Sequence, residues 1–271
     1  MKTSEQKRAL ACAVKAAQEV GALMRKHLAR QKAVNFASQH DIKLELDVRS
    51  QRLIEKRLRA AFPNVAVLGE EGCSGDPHAE ARWVVDPIDG TVNFAFGIPH
   101  ACVSIALQNR DPKSRNKYVT VAGVVYDPFV NELWTALRGS PARLNGKVIH
   151  VSRRKELRDC IVATGFAKSE ASLEKNLPYF NKLVRRARKV RMMGVAALAL
   201  VYVATGRFDA YVETGIWWWD IAAGGLIVES AGGEFWHQQI EGAENFRMIA
   251  SNGRLRKKLL SLQPGFMKPG A

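Results

Sequence analysis

"WVVDPIDGTVNF" (residues 83 to 94) closes an apolar run, Trp83 to Val85, with two carboxylates three positions apart, Asp86 and Asp89. Pro87 and Ile88 stand between them, and Gly90 and Thr91 follow. Asp, Pro and Gly are all turn formers, so one reading is a plain turn after a strand. The other is that the carboxylates hold something between them. On that reading Asp86 ends the strand, Pro87 stiffens the turn, and Asp89 swings back toward the same point, leaving the Ile88 carbonyl free to ligate. Gly90 and Thr91 then open a short helix whose backbone N–H groups face the site, a natural seat for phosphate.

Outward from this stretch, apolar periodicity predicts the elements. Residues 5–31 read as a helix, with Leu10, Val14, Ala17, Met24 and Leu28 at helical spacing. "DIKLELD" (41–47) alternates as a half-buried strand does, and residues 48–63 return to helical period and stop at Pro63. Short strands are expected at 65–68, 82–86, 101–108, 118–126 and 131–137, with turn residues between several of them. Beyond about residue 138, strands and helices alternate. "CIVAT" (160–164) and "FDAYVE" (208–213) read as strands and 170–189 as a basic helix. "GVAALALVYVATG" (194–206), apolar on nearly every face, reads as a buried helix. Residues 220–233 form a helix closed by glycines. The pattern is α/β, with an N-terminal region (1–137) carrying a sheet and a C-terminal α/β region (138–271), packed as one unit.

The 271 residues, 47% of them hydrophobic, suffice for one large core or two smaller ones. No apolar run approaches the roughly 20 residues that span a bilayer, and the charged N-terminus lacks the pattern of a signal peptide. Cys12, Cys73, Cys102 and Cys160 are scattered without a C-x-x-C pair, which suits a reducing cytoplasm. The formal charge is +15, and residues 138–271 carry 22 basic and 11 acidic side chains against 19 and 15 in residues 1–137. That excess either attracts phosphorylated ligands or nucleic acid, or is a set of solvated helix faces. No zinc-finger or aromatic–Gly RNA-binding signature accompanies it.

Glu70, Asp86, Asp89 and Asp220 stand out as acids at strand ends or helix starts, with Asp47 a fifth. Singly, each has an ordinary reading: Asp47 and Asp220 as helix N-caps, Glu70 in a solvated turn. Together they are the oxygen-rich donor set that Mg²⁺ takes beside phosphate. Paired ions about 3.5–4 Å apart clamp the attacking and leaving oxygens of a phosphoryl transfer.

On these residues the chain resembles the inositol monophosphatase family of magnesium-dependent, lithium-sensitive phosphatases. "WVVDPIDGTVNF" resembles its signature, "VLGEEG" (67–72) its upstream element, and "WWWDIAAGGLIVESAGG" (217–233) its C-terminal signature. "DIKLELD" sits where the family has a strand ending in an Asp. Order and spacing agree from about residue 5 to 255. The resemblance implies a five-layer α/β/α/β/α sandwich, a homodimer, and two or three Mg²⁺ ions, with Mn²⁺ as a substitute. It places Glu70, Asp86 and the Ile88 carbonyl on the first ion, and Asp86, Asp89 and Asp220 on the second. Glu70 also faces a more weakly held third. Thr91 and Asp47 would form the dyad that polarises the attacking water, and the Gly90 and Thr91 N–H groups would hold phosphate oxygens. Glu213 would contact a substrate hydroxyl, with Gly194 and Ala196 lining the same pocket.

The departures fall at the alcohol end of the substrate. Phe36 stands where many members have a Lys, with Lys32 or Lys43 as candidate substitutes, and Val195 stands where a hydroxyl residue is frequent. "DGTVNF" fits the inositol and sugar phosphatases better than the branch acting on 3′-phosphoadenosine 5′-phosphate, which more often shows Lys-Glu-Phe there. Inositol monophosphate or a related sugar or polyol phosphate is the expected substrate, with fructose 1,6-bisphosphate and histidinol phosphate as alternatives. RNA or a transcription complex on the basic half, around Arg185, Arg186 and Arg188, is the competing expectation. His100 reads as a structural residue, since a hard ion prefers oxygen.

Overall fold

The computed structural model describes residues 1–30, 34–37, 42–111, 114–166 and 169–263. Its centre is two mixed sheets with a pair of helices between them. The larger sheet holds β3 (Ala66–Gly69), β4 (Gly72–Ser74), β5 (Ala81–Asp89), β6 (Cys102–Asp111), β7 (Ser114–Asp127), β8 (Glu132–Leu137), β9 (Arg143–Leu144) and β10 (Lys147–Val148). Their order is β10-β9-β8-β7-β6-β5-β3-β4, antiparallel except where β3 runs parallel to β5. The smaller sheet holds β11 (Ile161–Phe166), β12 (Lys189–Arg191), β13 (Ala210–Ile216), β14 (Glu234–Gln239) and β15 (Phe246–Ser251), in the order β12-β11-β13-β15-β14. A hairpin of β1 (Val34–Ala37) and β2 (Ile42–Leu44) precedes both.

Helices fill three layers. Helices α1 (Thr3–His27) and α2 (Glu45–Ala61) cover the outer face of the larger sheet, α5 (Ala196–Ala204) and α6 (Trp218–Ser230) lie between the sheets, and α4 (Glu170–Arg186) and α7 (Arg256–Leu262) cover the smaller sheet. The five layers follow from the patterning. The α1 face made by Ala9, Ala13, Ala17, Val20 and Met24 is buried, while its other faces carry charge, as a surface helix requires. Helix α5 is buried almost all round because a sheet lies on each side of it. Among the described residues no helix is long and apolar enough to cross a membrane. The four cysteines are unpaired.

Several expectations needed correction. The helix expected over 5–31 ends at His27, before the β1–β2 hairpin. The strand expected over 41–47 stops at Leu44; Glu45 starts α2, so Asp47 lies in the first turn of a helix and caps it by accepting the Leu44 N–H. A three-residue strand followed by a helix buries Leu44 and Leu46 as an alternating strand would, so local pattern does not separate them. The turn expected at Asp86–Asp89 is part of β5. Asp86 faces Ser104 and Asp89 faces Cys102 across the pairing with β6, so β5 carries one extra residue, a β-bulge. Proline is tolerated at a bulge, where no ladder N–H is required.

Helix α6 packs so closely on β7 that a Cβ built on Gly123 would lie 2.9 Å from the Ala223 carbonyl oxygen. Backbone on both sides leaves nothing able to rotate away. Gly123→Val should lower the free energy of unfolding by about 1–3 kcal/mol through overpacking, read from the urea midpoint; an unchanged midpoint would contradict this contact.

Candidate active site

The parallel pairing of β3 with β5 sets Glu70 beside Asp86. Gly69, the last residue of β3, faces Val85, and the Glu70 N–H donates to the Val85 carbonyl at 3.1 Å. Asp86 is buried in the bulge and accepts the Ile88 N–H at 3.0 Å. Burial raises its proton affinity well above the usual carboxylate range, and the charges of Glu70, Asp89 and Asp220 and a hydrogen bond with Glu70 raise it further.

Asp89 ends β5 and points at the start of α5, where its carboxylate accepts the N–H groups of Ala196 (3.3 Å) and Ala197 (2.6 Å). Burial pushes it up to about 7, opposed by those two N–H groups and reinforced by Glu70 and Glu213. Asp220 lies in the first turn of α6 and accepts the Trp217 N–H at 3.0 Å. It too is pushed well up, first by burial and then by Asp89 and Glu70. Four acids, Glu70 just past β3, Asp86 and Asp89 on β5 and Asp220 on α6, thus feel one another's charge in one place. No three His, Cys, Asp or Glu side chains among the described residues already meet in metal-ligating geometry; Asp86, Asp89 and Asp220 each rest on backbone N–H groups.

Asp209 shows what a structural buried acid looks like here. It is fully buried, and Ser152, the Arg154 guanidinium at 2.9 Å and the Ile161 N–H at 2.8 Å surround it with donors and a positive charge. The set around Asp86 has like charges where Asp209 has Arg154. A donor set of carboxylate and carbonyl oxygens, anionic and withdrawn from water, fits a hard divalent cation such as Mg²⁺.

Gly90 caps the helix α3 (Thr91–Ala95) in the left-handed region, φ 92°. A Cβ there would lie 2.7 Å from Val195 Cγ2, so backbone conformation and space both demand glycine. Thr91 Oγ1 donates to the Ile88 carbonyl at 2.9 Å, and that oxygen keeps a second lone pair. Helix α3 packs on β2, the strand that leads into α2 and Asp47. Asn93 ties α3 to the smaller sheet's side by donating to the carbonyls of His100 (3.1 Å) and Met193 (2.9 Å). His100 turns its ring toward Tyr202, centroids 6.3 Å apart, and burial lowers its proton affinity.

A cavity of about 390 Å³ opens beside these acids, and Asp89, Gly194, Val195, Ala196, Glu213 and Asp220 all line it. Glu213 is held by the Tyr211 hydroxyl, which donates to it, and burial pushes it up to about 7. Gly165 makes room for that carboxylate, since a Cβ there would lie 2.4 Å from Glu213 Oε2. Sequence reasoning missed Gly165, Tyr211 and Asn93. A glycine inside the strand "IVATGF" was a usable signal of close approach. It also missed Phe166, Met192 and Met193, which make much of the cavity apolar. Trp217 and Trp219 stack at 5.1 Å just before Asp220. Phe36 and Lys43 are cross-strand partners in the β1–β2 hairpin, and Lys32 lies outside the described residues.

The model of the inositol monophosphatase family matches residues 5–265. A Nus factor SuhB of Xylella fastidiosa is 41% identical over 232 residues, 84% of this chain and 81% of that protein. An inositol monophosphatase of Mesembryanthemum crystallinum is 39% identical over 231 residues, 83% of this chain and 82% of that one. Among solved structures, the extragenic suppressor protein suhB of Bartonella henselae superposes with a TM-score of 0.85 at 34% identity, covering 94% of this chain and 98% of that one. Inositol monophosphatase of Anabaena does so with 0.81 at 32%, covering 95% and 96%. A mixed α/β sandwich with acids gathered at its centre and a family match over nearly the whole length agree: the chain belongs to the inositol monophosphatase family.

Proposed function

We propose that this protein is a Mg²⁺-dependent phosphomonoesterase acting on inositol monophosphate or a related sugar or polyol phosphate. The observation that carries this reading is the mutual charge of Glu70, Asp86, Asp89 and Asp220 beside the cavity. Those side chains and the Ile88 carbonyl would hold two or three Mg²⁺ ions. Bound there, magnesium supplies Lewis acidity toward phosphoryl oxygens and water. The Thr91 hydroxyl orients the attacking water and Asp47 takes up its proton. The Gly90 and Thr91 N–H groups hold phosphate oxygens while the water oxygen bonds to phosphorus and the P–O bond to the alcohol breaks; the leaving oxygen takes a proton from solvent water, releasing alcohol and inorganic phosphate. No side chain bonds to phosphorus. Glu213, Gly194 and Ala196 receive the alcohol, against a wall made apolar by Val195, Phe166 and Met193.

A second reading, binding of RNA or a transcription complex by the basic half, is favoured by the name Nus factor carried by bacterial relatives. Arg185 and Arg186 end α4, and the exposed Arg188 pairs with Asp159 at 3.0 Å, a contact worth little in water. If this reading holds, the triple neutralisation of Arg185, Arg186 and Arg188 abolishes salt-dependent RNA binding in a filter assay. Undetectable binding by the unaltered protein at low salt would end it.

Phosphate release from inositol 1-phosphate should require Mg²⁺, stop on chelation and return on readdition. Fructose 1,6-bisphosphate and histidinol phosphate in the same panel decide the substrate. Asp89→Asn should cost more than the roughly 100-fold typical of a changed outer-shell partner, while circular dichroism stays unaltered. An active Asp89→Asn protein refutes the ligand assignment. Gly165→Ala displaces Glu213 and should raise KM with kcat nearly kept, the mark of lost ground-state binding; unchanged KM would remove Glu213 from the substrate pocket.

A further inference from the structure

A second cavity, of about 500 Å³, lies beside α6 and shares no lining residue with the catalytic one. One wall comes from the larger sheet and is cationic. Arg82, at the start of β5, is partly buried; its Nε donates to Gln108 Oε1 at 2.9 Å and its guanidinium lies 3.9 Å from the centre of the Tyr118 ring. Neither partner carries a compensating negative charge. Burial is accordingly the main influence on Arg82 and lowers its proton affinity. Lys117 adds a charge at the rim, and Arg138 is answered by Glu229, the cavity's carboxylate, at 3.1 Å. The cavity therefore keeps an excess of positive charge.

The facing wall is aromatic. Trp218 packs against His237, centroids 4.7 Å apart, and against Phe246 at 5.1 Å, with Phe235 beside His237 at 5.3 Å. The Trp218 indole N–H is buried and finds no acceptor among the described residues. A buried donor without an acceptor is destabilising, and so is a partly buried guanidinium with no carboxylate paired to it among the described residues. Both deficits would be met by one kind of ligand.

We propose that this cavity is a binding site for a small anion carried on a flat aromatic ring. The anionic group would pair with Arg82 while the ring lies against Trp218 and Phe246, with an acceptor within reach of the indole N–H. The site is independent of the catalytic reading, and its test is binding, not turnover.

Anilinonaphthalene sulfonate, an aromatic anion whose fluorescence rises on binding, is the probe, with neutral phenylnaphthylamine as its comparison. The full chain should bind one sulfonate probe saturably and at least tenfold more tightly than the neutral one. Hydrogen exchange should show protection in Trp218–Ser230 and Glu234–Gln239. Arg82→Met should weaken the sulfonate at least tenfold without changing the neutral probe. Lys117→Glu, at an exposed rim position, keeps the test decisive if Arg82→Met fails to fold, and should weaken the sulfonate severalfold. Equal affinity for both probes, protection elsewhere, no saturable binding, or a folded Lys117→Glu protein with unaltered affinity would each overturn the proposal.

Discussion

Like charges withdrawn from water raise one another's proton affinity, and their repulsion falls off slowly where the dielectric is low. Asp86, Asp89 and Asp220 are held in that condition beside Glu70, and the surrounding architecture reads as the means of holding them. Backbone N–H groups from Ile88, Ala196, Ala197 and Trp217 each give a carboxylate one favourable contact. They offset part of the burial and leave charge uncancelled. Asp209 shows that the same chain can neutralise a buried acid with Arg154 where only structure is at stake. Among the described residues, the charges acting most strongly on the central acids are those of other acids, where Asp209 has Arg154.

The sandwich makes the arrangement rigid. The middle helices begin where β5 ends, so α5 presents its first N–H groups to Asp89 while the first turn of α6 carries Asp220. Helix N-termini favour nearby negative charge, which further supports carboxylates at these two positions. Close contact at Gly123 fixes α6 against the larger sheet, and Asn93 fixes α3 to the segment that leads into α5. The clustered acids come from the larger sheet and the middle layer, whereas Gly165 and Glu213 come from the smaller sheet. Two sheets and the helices between them thus meet at one cleft.

The layered fold was largely legible, because periods of two and 3.6 are written in long stretches such as residues 5–27 and 196–204. Where the reading failed, the missing information lay in a partner. A turn and a bulge use the same residues, and only the register with β6 shows that Asp86 to Asp89 continue a strand. Asp47 looked like a strand end because Leu44 and Leu46 are buried on either reading. Tyr211 carried no signal at all, since its role depends on a carboxylate two residues along the strand and on the space left by a glycine of another. The aromatic cavity beside α6 was invisible for the same reason: Arg82, Trp218 and Phe246 are neighbours only after folding.

The bulge in β5 also decides which way its side chains look. In a regular strand residues three apart face opposite sides of the sheet. Val84 belongs to the core between the sheets, and Trp83, Val85 and Ile88 to the core under α1 and α2. Asp86 and Asp89 nevertheless both reach the inner side, because the additional residue resets the alternation between them. The stretch therefore behaves like a reading frame: paired as a regular strand without the bulge, residues 86 and 89 would face opposite sides, and one of the two acids would turn toward the outer core. Spacing along the strand, and not only the identity of each acid, holds the pair on one face.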